Sequence, residues 1–136
     1  MVCIYCGSKT SITNSRHWSR NNATWRRRQC NKCHAIFTTN ELAQYDSLWT
    51  VYEPDLKALS SFMRDKLFLS VYDSCRHRKD AISDAASLTD TIINKLRDKV
   101  SDGSISKSDI RVTTYSIVNR LDVASGVYYK SYHGPI

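Results

Sequence analysis

The chain has 136 residues, 20 of them lysine or arginine and 13 acidic, and its formal charge of +7 lies wholly at one end: residues 1–40 hold seven basic side chains and no carboxylate. Charge of one sign on so short a stretch indicates a polyanionic partner. No run of about eighteen apolar residues is present to span a membrane, and Met1-Val2-Cys3 lacks the charged-then-apolar layout of a secretory signal, so a reducing cytoplasmic compartment is expected.

Two cysteine pairs come first in chain order, Cys3-Ile4-Tyr5-Cys6 and Cys30-Asn31-Lys32-Cys33. Thiolates separated by two residues face one metal ion from a tight turn, and two such turns complete a tetrahedron. Cys3, Cys6, Cys30 and Cys33 are therefore expected to hold one Zn²⁺ per chain. The other uses of such cysteines are a redox pair, which needs only one motif in a βαβ setting, and an iron–sulfur centre. Four thiolates fill the tetrahedron, leaving His34 beside the metal and His17 at the surface or facing nucleic acid. With zinc and four thiolates counted, the module carries about +5.

Between and after the pairs, residues 11–16 and Ala23–Cys30 read as extended segments joined by the polar Ser19-Arg20-Asn21-Asn22, and Ile36-Phe37-Thr38-Thr39 reads as a third. Two knuckles and three short antiparallel strands make a zinc ribbon over residues 1–45, too small to fold without its metal. In the run Trp25-Arg26-Arg27-Arg28, strand alternation puts Arg26 and Arg28 on one face and Arg27 on the other, with Ser15-Arg16 on the neighbouring strand expected to extend the same surface. The guanidinium fork clamps a phosphate or the O6/N7 edge of guanine, so Arg16, Arg26, Arg27 and Arg28 are the candidate DNA-binding residues. Trp18 and Trp25 pack beneath this surface or stack on a base.

Residues 40–47 read as a linker, and residues 48–53 as a strand that Pro54 stops. A helix is expected over 60–77, with Phe68, Val71, Tyr72 and Cys75 on one stripe, the Cys75 thiol buried and inert. A second, over 83–100, aligns Leu88, Ile92, Ile93, Leu96 and Val100 and is stopped by Asp102-Gly103. A third begins at Ser106 or Ser108 and aligns Ile110, Thr114, Ile117, Val118 and Leu121. The tail, Val123–His133, reads as a strand or a last helix, and its Tyr128, Tyr129 and Tyr132 suit a core, a pocket or an interface. This second part has enough residues for a core of its own. The chain contains no Ser/His/Asp arrangement, paired-carboxylate pattern or Gly-x-Gly-x-x-Gly loop, so no enzyme is expected.

In order, Cys3-x-x-Cys6-Gly7, Ser15-Arg16, Arg26-Arg27-Arg28-x-Cys30-x-x-Cys33 and Phe37-Thr38-Thr39-x-Glu41 resemble the N-terminal zinc ribbon of NrdR proteins, bacterial repressors of ribonucleotide reductase genes. The second part is similar to the ATP-cone of that family through Val51, Phe62-x-x-x-Lys66-Leu67, Arg78, Leu121-Asp122, Val123-Ala124 and Val127-Tyr128-x-x-x-Tyr132. The resemblance implies an α+β chain: a Cys₄ zinc ribbon at 1–45 that binds double-stranded promoter DNA, then, at 46–136, a mostly helical ATP-cone with a small sheet. The cone is implied to bind ATP or dATP, through Val51, Tyr52, Lys57 and Lys66, and to set a homo-oligomeric state. It also implies a cytoplasmic regulator working on the bacterial nucleoid.

The chain departs from the family pattern at identifiable points. Glu53 stands where a phosphate-binding lysine is usual, and Leu56 where glycine makes a tight turn; an acid there repels a triphosphate, and leucine adopts positive φ only with strain. His34 replaces a glycine, and Ile36 and His133 replace arginines. Two other functions fit the charge map: a zinc-ribbon module for RNA or single strands, and an interaction protein whose altered cone docks on ribonucleotide reductase.

Overall fold

Thr10–Trp18 (β1), Ala23–Cys30 (β2) and Ile36–Glu41 (β3) form an antiparallel sheet in the order β1-β2-β3 in the computed structural model, which describes residues 1–19, 22–45 and 48–135. Arg20 and Asn21 of the expected turn, and Asp46 and Ser47 of the expected linker, lie outside the described residues. The backbone divides into two units, Met1–Ala43 and Gln44–Ile136. In the first, the buried cluster among the described residues is Cys3, Cys30 and Phe37, with Ala35 against it. Burying one phenylalanine contributes about 1.5–3 kcal/mol, far below the ordering entropy of forty residues. Cross-linking the cysteines is what such a unit requires.

The second unit is mixed. Thr50–Glu53 (β4) pairs antiparallel with Ala58–Ser61 (β5) and parallel with Ser104–Ser106 (β6), giving the order β5-β4-β6. Four helices complete it: Arg64–Cys75 (α1), Ala81–Leu96 (α2), Lys107–Leu121 (α3) and Val123–His133 (α4). Leu67, Val71 and Cys75 of α1 meet Ile92, Ile93 and Leu96 of α2, Val118 of α3, Tyr129 of α4 and Ile105 of β6 in one core. Trp49 and Phe62 close one end edge to face, their ring centroids 5.2 Å apart. The architecture is α+β, as expected, and no helix among the described residues is long and apolar enough to cross a membrane.

Three expected boundaries move. Residues 60 and 61 belong to β5, because Ser60 pairs with Val51 and Ser61 with Thr50, so α1 begins only at Arg64 after an extended Met63. The second helix begins at Ala81 and ends at Leu96, where Arg97–Lys99 tightens into a 3₁₀ turn. Asp102 and Gly103, both at positive φ, then turn the chain into β6 rather than stopping a helix directly. Gly103 is needed there, since a Cβ would come within 3.2 Å of the Leu48 carbonyl oxygen. The tail resolves as helix α4, whose first turn is capped by Asp122. The Ser125 hydroxyl and amide both donate to that carboxylate, and His77 is bound to it at 2.8 Å, so its pKa falls to about 2. Ser106 caps α3, accepting from the Asp109 amide at 2.9 Å. Cys75 is fully buried, and burial raises its thiol pKa.

Candidate functional site

The cysteine pairs sit on two turns with the same wiring. In the first, the Tyr5 amide donates to Cys3 Sγ at 3.4 Å, Gly7 N–H to the Cys3 carbonyl at 3.0 Å, and Cys3 N–H to the Ser8 carbonyl at 2.8 Å. The second repeats this at Cys30: the Lys32 amide to Sγ at 3.3 Å, His34 N–H to the Cys30 carbonyl at 3.2 Å, and Cys30 N–H to the Ala35 carbonyl at 3.0 Å. Each turn closes on a left-handed residue, Gly7 at φ 69° and His34 at φ 58°. The position explains the glycine expected at His34, and histidine is among the non-glycine residues that tolerate it best.

These turns bring the four sulfurs within 4.8 Å of one another. Cys3 to Cys33, Cys6 to Cys30 and Cys6 to Cys33 measure 3.7, 3.5 and 3.6 Å. A tetrahedron with metal–sulfur bonds of about 2.3 Å has edges of about 3.8 Å, so the geometry fits a single zinc ion. The protonation of the cluster argues the same way. The Ser8 amide and hydroxyl, then Cys30, draw the Cys6 thiol down to about 6. The Ala35 amide also pulls on Cys33, but Cys30, burial, Cys6 and Cys3 together push it up to about 12. Four thiolates so close repel one another, and a divalent cation at their centre removes the repulsion.

The sheet above the cluster has two unlike faces. Residues directly opposite across a ladder share a face. Arg26 faces Ser15 and Thr39, and Arg28 faces Ile12 and Phe37. Arg27 faces Asn14 and Thr38 on the other side, where Arg16 lies opposite Trp25. Arg26 and Arg28 thus project together, and Arg27 away from them, as alternation requires. Of the expected Ser15-Arg16 pair, Ser15 extends their surface and Arg16 does not. The register between β1 and β2 slips between Ile12 and Asn14, a bulge at Thr13 that reverses the parity of every later residue in β1. Unbroken alternation would have set Arg16 with Arg26 and Arg28.

The two faces also differ in what their arginines already hold. Arg26 is ion-paired with Glu41 at 2.6 Å, and Arg28 Nε donates to Thr39 Oγ1 at 3.1 Å. Arg16 and Arg27 are exposed and make no ion pair among the described residues. Half-buried Trp25 and Trp18, 49% exposed, accompany them.

The second unit contains a cavity of about 570 Å³ between β4, β5, α1, α3 and α4. Of the candidate nucleotide residues, Val51 and Lys66 line it. Tyr52 and Lys57 do not: Tyr52 alternates to the opposite face of β4, and Lys57 sits at the hairpin turn. Lys57, not Leu56, takes the positive φ there, at 48°, because Pro54–Leu56 forms a 3₁₀ turn. Sequence reasoning missed Lys107 and Arg111, which α3 brings into the wall. Lys107 Nζ donates to both carboxylate oxygens of Glu53 at 2.8 Å, so the acid in the lysine position is neutralised across 54 residues of chain. Arg111 Nη2 donates to the Pro135 carbonyl, while its buried Nε has no partner among the described residues. Three cations against one paired carboxylate, in a volume that suits a small ligand, favour an anion.

The sequence has relatives among known proteins. Residues 1–41 match the family described as "Transcriptional repressor NrdR-like, N-terminal domain". Over 132 residues the chain is 31% identical to the transcriptional repressor NrdR of Streptococcus gordonii, covering 96% of this chain and 82% of that one. The NrdR of Staphylococcus saprophyticus is 30% identical over the same length, with 96% and 83% covered. That of Staphylococcus carnosus is 28% identical.

Proposed function

Because the chain belongs to the NrdR family of transcriptional repressors, a family of regulators and not of enzymes, we propose that it is a zinc-dependent repressor of ribonucleotide reductase genes. It binds their promoters as duplex DNA, in the cytoplasm, and ATP or dATP in the cavity of the second unit sets its oligomeric state. The observation that carries this reading is the four-sulfur tetrahedron beneath a sheet whose exposed Arg16 and Arg27 have no ion-pair partner among the described residues. Cys3, Cys6, Cys30 and Cys33 hold the zinc and thereby fix the register of β2.

Arg16 and Arg27 make the DNA contacts. Arg26 and Arg28 are already engaged by Glu41 and Thr39, and their task is to brace the sheet. One ribbon offers too few contacts for useful affinity, so several must be held at operator spacing by association of the second units. A nucleotide shifts that association only by its difference in affinity between the oligomers. Support for the nucleotide comes from the volume of the cavity, the Lys66, Lys107 and Arg111 cations, and the unpartnered Arg111 Nε.

The test is fluorescence anisotropy with duplex DNA from upstream of ribonucleotide reductase genes, a scrambled duplex and the matching single strand, with and without ATP or dATP. Sequence-dependent duplex binding that changes with nucleotide is expected. Arg16→Ala and Arg27→Ala each flatten the slope of log K against log salt by about one, whereas Arg26→Ala leaves that slope in place. Equal binding to single strands would replace the repressor with an RNA or single-strand module stacking bases on Trp18. A stable complex with ribonucleotide reductase and no DNA binding would make it a docking protein.

A further inference from the structure

One side chain in the cavity wall can change its charge near neutral pH. His133, in the last turn of α4, is half-buried, and its Nε2 lies 2.6 Å from Ser70 Oγ of α1. The charged and titratable groups of the same wall are Lys66 from α1, Glu53 from β4, Lys107 and Arg111 from α3, and Tyr129 and Tyr132 from α4 itself. The Tyr129 ring lies against the imidazole with centroids 4.3 Å apart. Glu53 is engaged through both oxygens by Lys107, so the wall has no unpaired carboxylate to hold an imidazolium. Burial first, then the charges of Arg111 and Lys107, hold His133 below its usual pKa. Its hydrogen-bond partner among the described residues is a hydroxyl, which can donate to a neutral ring nitrogen or accept from a protonated one, so Ser70 accommodates either state.

We propose that a polyphosphate entering this cavity protonates His133, so that the imidazolium joins Lys66, Lys107 and Arg111 as a fourth cation on the ligand and binding takes up a proton. The proposal rests on the reading of the cavity as a nucleotide site. To that reading it adds the group involved and the direction of the pH dependence. The physical cause is a reversal of field. Without an anion, the neighbouring cations oppose a charge on the ring; with phosphate oxygens among them, the charge is attracted. Linkage then requires affinity to rise as pH falls, by up to about tenfold per pH unit between the two values of the His133 pKa.

Calorimetric titration of the full-length zinc-loaded protein with ATP, in two buffers of different ionisation enthalpy near neutral pH, counts the protons taken up. The terminal phosphate of ATP titrates in the same range, so the readout is the difference between wild type and His133→Gln. Wild type is expected to take up about half to one proton more than the variant, and the pH slopes of affinity of the two proteins are expected to differ by the same amount. In parallel, the imidazole resonances of the wild-type protein are followed by NMR against pH, with the His133 pKa expected to rise by more than about one unit on adding ATP; this reading does not depend on the variant folding. ATP binding with equal proton counts and an unmoved His133 resonance overturns the proposal and leaves the nucleotide site standing. Failure of folded wild-type protein to bind ATP overturns both.

Discussion

His34 occupies a backbone conformation that its own Cβ opposes. At φ 58° it closes the second knuckle where Gly7, at φ 69°, closes the first with the same hydrogen bonds. A β-carbon in the left-handed region costs about 1 kcal/mol relative to glycine. His34 is exposed, and among the described residues its side chain makes no hydrogen bond or ion pair to offset that strain. His34→Gly is therefore expected to stabilise the metal-loaded ribbon by about 1 kcal/mol, measured by denaturant unfolding followed through the fluorescence of Trp18 and Trp25. A neutral or destabilising result would mean that the imidazole contributes to the knuckle through a contact the geometry does not contain.

At the scale of elements, the bulge in β1 decides which arginines act together. Because Ser15 lies opposite Arg26 and Arg16 opposite Trp25, exchanging the two, as Ser15→Arg with Arg16→Ser, moves one guanidinium across the sheet without altering composition or charge. DNA affinity is expected to fall as far as in Arg16→Ala. Retained affinity would make the contact a matter of net charge alone. The bulge also marks where the sequence stops being readable. The strand Ala23–Cys30 was legible because a cysteine pair begins at its end and its arginines alternate within it. The parity of Arg16 was not, since no glycine or proline announces a register slip at Thr13. The strand β5 was hidden for a related reason: Ala58-Leu59-Ser60-Ser61 has no β-branched residue and is wholly exposed, and only its pairing with β4 makes it a strand.

At the scale of the molecule, the separate cores of the two units separate their stabilities. Removing the metal with a chelator is expected to unfold the first unit while the helical circular dichroism of the second persists, since Leu67, Val71, Ile92, Leu96 and Val118 pack without it. A single joint transition would show the two to be one cooperative body. The cavity of the second unit is assembled from elements far apart in the chain, and for that reason it was the least legible site. Lys66 was found from a local pattern, but Lys107 and Arg111 come from a helix whose sequence reads only as amphipathic, and their place beside Glu53 depends on β6 pairing parallel to β4. The cysteine tetrahedron needed no such long-range knowledge, because ligand spacing within each turn already determines its shape.

The twin wiring of those two turns bears on the order of assembly. Each knuckle is closed by a hydrogen bond across five residues, Cys3 to Ser8 and Cys30 to Ala35, and can form before the chain between them is ordered. Bringing Cys6 to Cys30 closes a loop of 24 residues, whose entropy grows only with the logarithm of its length. The strands between then zip from a register already set at Thr10 opposite Cys30. With zinc as the cross-link proposed above, folding of this unit is expected to be a bimolecular reaction whose rate rises with available metal, and that of the second unit to be indifferent to it; a newly made chain would then acquire its two halves on two independent clocks.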